Sequence, residues 1–173
     1  GSPEDKTPNW VTCPWPDDFS EILEYQWNDV LIPYWKEKVA FAKAHNVHKI
    51  ALELHPGFCV YNTRSLLKLR EAVGPEIGAN LDPSHLIWQG MDLIAVIREL
   101  GKANAIFHFH AKDTKVDAIN TAVNGVLDTQ HYSEELTRSW IFRSVGYGHG
   151  EDYWKAIASE LRLAGYDYAI SIE

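Results

Sequence analysis

The feature that most constrains this chain is an alternation of short apolar runs with helical stretches. Lys49–His55 (KIALELH), Ile77–Asp82 (IGANLD), Ala105–His110 (AIFHFH) and Asp167–Glu173 (DYAISIE) read as strands. Between them, Arg64–Val73, Asp92–Leu100 and Tyr153–Ala164 carry apolar residues at helical spacing. Such alternation builds βαβ units, whose strands run parallel. Their carboxyl ends then share one rim, where α/β folds collect functional side chains. Upstream, Phe19–His45 reads as two helices. Ile22, Leu23, Trp27, Val30 and Leu31 form an apolar face on the first, and Pro33 opens the second. Gly1–Asp18 holds Pro3, Pro8, Pro14 and Pro16 and reads as a loop or extended arm. Its Trp10 and Trp15 are candidates to reach over the rim, and the leading Gly-Ser resembles a cloning scar.

Charge and composition narrow the function classes. Sixteen basic against 24 acidic residues leave a formal charge of −8, which disfavours a broad nucleic-acid surface. No apolar run is long enough to cross a bilayer and no signal peptide opens the sequence, so no membrane partner is expected. Cys13 and Cys59 lack metal-type spacing, which excludes an all-thiolate site and points to a reducing, cytoplasmic setting.

Each strand ends in residues able to hold a proton or a metal. The first ends in Glu53 and His55, the second in Asp82 with His85 shortly after, the third in His108 and His110 followed by Lys112 and Asp113, and the fourth in Glu173. Strand side chains alternate faces, so 53 and 55 point one way together, as do 108 and 110. Glu53, Asp82, His110 and Glu173 therefore form a candidate ligand set of three carboxylates and one imidazole. That set suits one divalent ion, Mn²⁺ first, with Mg²⁺, Co²⁺ and Zn²⁺ as alternatives.

His55, His108 and several other residues are candidates to contact substrate. Trp88 follows His85 where a loop would cover the site and could stack on a sugar face, or could pack helix on sheet. Lys112 and Asp113 lie on the rim, as an ion pair or as substrate contacts. Asp113 to Gly150 is far longer than an ordinary βα connection and carries Trp140, Phe142 and Arg143, which favours an ordered cap. Within it, Arg143 and His149 could bind a hydroxyl or an anion, or only cap a helix.

Four segments together resemble the xylose isomerase-like (β/α)8 TIM barrels, a group of sugar isomerases and epimerases. They are LELHPG at Leu52–Gly57, LDPSH at Leu81–His85, HFHAKD at His108–Asp113 and GYDYAISIE at Gly165–Glu173. Gly146-Tyr147-Gly148, before the last helix, resembles the glycine turn that these proteins carry between their sixth and eighth strand regions. The resemblance implies that Glu53, Asp82, His110 and Glu173 bind the metal and that His85 contacts substrate. It also implies that Glu53 and Glu173 are the catalytic pair that exchanges a proton beside a carbonyl. The sequence departs from the ketose epimerases at Cys59 and Val116, where they carry Glu and Arg.

The resemblance further implies that residues 1–173 are the C-terminal half of one barrel domain, with about four strands. Its missing N-terminal half is then an expected partner, beside a small sugar or keto sugar and further copies in a homo-oligomer. The expected activity is a metal-dependent sugar isomerase or epimerase acting through an enediolate. A metal-dependent lyase or hydrolase acting on keto-sugar glycosides is the alternative. A phosphodiesterase like the barrel endonucleases fits the acidic balance less well.

Overall fold

The computed structural model describes residue 4 and residues 10–173. Pro3, Pro8 and the leading Gly-Ser fall outside the described residues. The chain divides into two compact units, Gly1–Ala79 and Asn80–Glu173.

In the first unit, α1 (Asp17–Tyr25), a π-helical segment (Gln26–Leu31) and α2 (Ile32–Ala44) follow without a break. The sequence predicts two helices parted at Pro33, whereas the structure has one helical run that widens to π geometry ahead of the proline. Pro33 sits in the first turn of α2, and the wider turn before it accommodates a ring that would press on an upstream carbonyl. Next come β1 (Ile50–Glu53), α3 (Thr63–Val73) and the start of β2 (Ile77–Leu81), which is β1's neighbour in the sheet. Asn62 caps α3 by accepting the Ser65 N–H at 2.9 Å, while Ser65 Oγ accepts the Asn62 N–H at 3.0 Å. Leu54, Leu66 and Leu69 are fully buried and anchor this unit's core.

The second unit takes the end of β2 into a short helix, α4 (Pro83–Ile87), then α5 (Leu93–Lys102) and β3 (Ile106–Ala111). Helix α4 was not anticipated, although Asp82 at its N-cap and Pro83 in its first turn are ordinary start signals. On α5, Leu93, Val96, Ile97 and Leu100 are buried, as the spacing predicts. Arg98 of α5 grips Glu160 of α7 (Glu151–Leu163) through two hydrogen bonds of 2.7 and 3.0 Å. The last strand, β6 (Ile170–Ile172), pairs parallel with β3, matching Phe109 to Ile170, His110 to Ser171 and Ala111 to Ile172. Sheet neighbours here run β2, β3, β6, so the fold class is the expected α/β arrangement with parallel pairing.

The long connection is ordered. It contains β4 (Asp113–Val116), α6 (Ala118–Asn124) and β5 (Trp140–Arg143). β4 and β5 form an antiparallel ribbon that sets Asp113 opposite Arg143 and Val116 opposite Trp140. Among the described residues, no helix is long and apolar enough to cross a membrane.

Candidate metal centre at the strand ends

Asp82 stands where β2 gives way to α4, with a fully buried side chain. Its Oδ1 accepts the Ser84 N–H at 2.8 Å. Its Oδ2 is buried and, among the described residues, accepts no hydrogen bond. Basic groups surround that oxygen at longer range: His85 Nε2 at 3.3 Å, Lys112 Nζ at 3.9 Å and His110 Nδ1 at 4.0 Å. Burial pushes the Asp82 carboxyl above its ordinary range, against the opposing pull of Ser84, His85 and Lys112.

Sheet pairing delivers the other two ligand candidates. His110 lies on β3 beside Ser171 of β6, which brings Glu173 to the same end. The Glu173 N–H donates to the Ala111 carbonyl at 3.2 Å and extends that pairing. His110 Nδ1 lies 3.1 Å from Glu173 Oε1, and Lys112 Nζ lies 3.2 Å from Glu173 Oε2. One donor atom each from Asp82, His110 and Glu173 falls within 4.8 Å of the others. Two carboxylates and an imidazole around a buried, donor-less oxygen form a donor set that fits a divalent cation.

The remaining sequence candidates separate by environment. Glu53 closes β1 in the first unit and is half-buried. His55, in the same unit, has Nδ1 2.5 Å from the Pro56 carbonyl and its ring 5.2 Å from that of Phe58. His85 is buried beside Asp82, with the Phe142 ring edge-on at 5.3 Å. His108 pairs with Ser171 Oγ at 2.9 Å, across to the neighbouring strand. Lys112 places its ammonium 5.0 Å from the Phe142 ring centre. Phe142, carried by β5, thus neighbours two of the three basic residues around Asp82.

Trp88, Asp113 and Arg143 each have partners of their own. Trp88 is buried and stacks on Trp140 at 4.7 Å with nearly parallel planes, so its face meets another indole. Arg143 pairs with Glu135. Asp113 is fully buried and organises the chain after β5. Its Oδ2 accepts from the backbone N–H groups of Gly146, Gly148 and His149 and from Trp154 Nε1, at 2.8–3.2 Å. Its Oδ1 accepts from Thr114 N–H and meets His149 Nδ1, both at 2.8 Å. Burial works to raise this carboxyl, but the hydrogen bonds from His149, Trp154 and Gly148 outweigh it and hold Asp113 below its ordinary range.

A family model for the xylose isomerase-like TIM barrel matches residues 12–173. The chain belongs to that family. It is 46% identical over 175 residues to the uncharacterized protein YfiH of Bacillus subtilis (strain 168), covering all of this chain and 55% of that protein. It also resembles the crystal structure of a xylose isomerase domain protein from Planctomyces limnophilus, with a TM-score of 0.58 at 20% identity, over 94% of this chain and 48% of that one. The structural likeness speaks for the fold alone. The chain spans about half the length of the relatives it matches.

Proposed function

We propose that this chain carries the metal-binding rim of a carbohydrate isomerase or epimerase that moves a proton beside a carbonyl. Asp82, His110 and Glu173 would hold one divalent ion, Mn²⁺ first, and the family resemblance adds Glu53 as fourth ligand. The observation that carries this reading is Asp82 Oδ2, which is buried and has no hydrogen-bond donor among the described residues. Such an oxygen is costly to bury unless a cation completes it. His110 Nδ1 and Glu173 Oε1 converge on the same space.

When bound, the ion supplies positive charge that polarises a sugar carbonyl and acidifies the neighbouring C–H. The chain's own residues do the rest. Glu173 has one oxygen toward His110 and the other toward Lys112, so one can bind while the other takes the proton. Glu53 is the proposed second carboxylate, returning a proton to the substrate. His85 and Lys112 present donors beside Asp82 that could fix the substrate oxygens. An open-chain or keto sugar is the substrate class. The remainder of a barrel, a homo-oligomeric state and a cytoplasmic location complete the proposal.

A lyase or hydrolase acting on keto-sugar glycosides would begin with the same proton transfer. The β4–β5 ribbon favours this second reading, because it sets Phe142 against His85 and Lys112 as an added aromatic wall suited to a second ring. The test uses the full-length protein, Mn²⁺ and a panel of keto sugars and their glycosides in deuterated water. Deuterium should enter at the carbon beside the carbonyl, and Glu173→Gln should nearly abolish the exchange. Release of the aglycone alongside exchange would select the lyase reading. Turnover with no solvent deuterium in product or recovered substrate would overturn both.

A further inference from the structure

We infer that Asn80 is a positioning residue that selects the nitrogen His110 offers to a divalent ion, and that its side-chain amide turns over when the ion binds. This rests on the metal reading of the Asp82, His110 and Glu173 cluster. Asn80 lies two residues before Asp82 at the end of β2, so the strand period gives the two side chains one face.

Asn80 Nδ2 stands 3.1 Å from His110 Nε2. Asn80 Oδ1 is buried and, among the described residues, has no hydrogen-bond partner. An amide NH₂ can only donate, so Nε2 accepts and the proton of a neutral imidazole resides on Nδ1. That nitrogen is 3.1 Å from Glu173 Oε1 and 4.0 Å from Asp82 Oδ2. Two carboxylates near Nδ1 suit that tautomer in the absence of an ion.

An ion among the three ligands needs the Nδ1 lone pair. The proton must then reside on Nε2, which becomes a donor and needs an acceptor. The NH₂ that faces it cannot accept. A half-turn of the Asn80 amide about χ2 brings Oδ1 to that place and gives the orphaned oxygen a donor. Metal-bound histidines generally donate their second N–H to such a partner, which fixes the tautomer and raises ligand basicity. Asn80 can serve both tautomers because an amide holds a donor and an acceptor at nearly the same reach.

The test measures Mn²⁺ affinity of the full-length protein by titration calorimetry for wild type, Asn80→Asp and Asn80→Leu. It adds the imidazole ¹⁵N spectrum of His110 without metal and with diamagnetic Zn²⁺. Asn80→Leu should weaken Mn²⁺ binding about 10- to 100-fold. Asn80→Asp, which keeps an acceptor, should stay close to wild type. The ¹⁵N spectrum should show the proton on Nδ1 without metal and on Nε2 with Zn²⁺. Wild-type affinity in Asn80→Leu, or Nε2 protonation in both states, would overturn the inference while leaving the metal reading intact. A wild-type protein that binds neither ion would overturn both. Should Asn80→Leu fail to fold, the aspartate variant and the wild-type spectra still decide.

Discussion

Asp82 and Asp113 share a residue type and complete burial, yet they are opposites. Around Asp113, backbone N–H groups, an imidazole and an indole donate to both oxygens, and the carboxyl is held below its ordinary range. Around Asp82, one oxygen has a backbone donor, the other has none among the described residues, and burial pushes the carboxyl up. A buried carboxylate with donors on both oxygens is architecture, and one with an oxygen that accepts no hydrogen bond is a candidate to bind a cation. Burial alone would not have separated the two residues.

The largest test of this contrast is to remove each carboxylate in turn. Asp113→Ala leaves several buried donors without an acceptor and should cost about 3–5 kcal/mol in urea unfolding. Asp82→Asn removes a carboxylate oxygen that accepts no hydrogen bond among the described residues. It should leave unfolding near wild type and abolish Mn²⁺ binding in calorimetry. Equal stability losses in both variants would erase the distinction.

A smaller effect tests how tightly the turn is held. A Cβ on Gly148 would lie 2.5 Å from Asp113 Oδ1 and 2.5 Å from the Thr114 carbonyl. Gly148→Ala should therefore destabilise by about 1–3 kcal/mol. A thermal melt matching wild type would show that the turn can move aside.

The smallest expected effect is on pH dependence. The folded pKa of Asp113 lies below the unfolded value of about 3.9. Its stabilisation is fully present above that unfolded value and is lost as pH falls through the lower, folded one. Asp113→Asn should flatten the acid limb of a stability–pH profile in that window. An unchanged limb would mean that other carboxylates set it.

Much of the candidate metal site was legible in the sequence because its convergence follows from two local rules. Period-two alternation and parallel pairing bring His110 and Glu173 to one sheet end, and Asp82 follows from its place after a strand. Asn80 obeys the same rule and was overlooked only because an amide does not advertise itself as a ligand. The Asp113 hub was not legible, since its donors are mostly backbone N–H groups in a glycine turn with no side chains to mark them. For Trp88 the sequence left sugar stacking and packing both open, for a different reason. Its partner, Trp140, lies far along the chain on a strand too short for its own periodicity to register.

The Trp88–Trp140 stack also has an optical consequence. The two indoles overlap at 4.7 Å with planes 2° apart, close enough for their excited states to couple. One indole follows the short helix that carries His85, and the other sits on the strand that carries Phe142. Light absorbed by this pair is therefore a built-in gauge of whether the ribbon is docked. Separating the two indoles should change both the near-ultraviolet signature and the exciton band that a coupled indole pair adds to the far-ultraviolet spectrum.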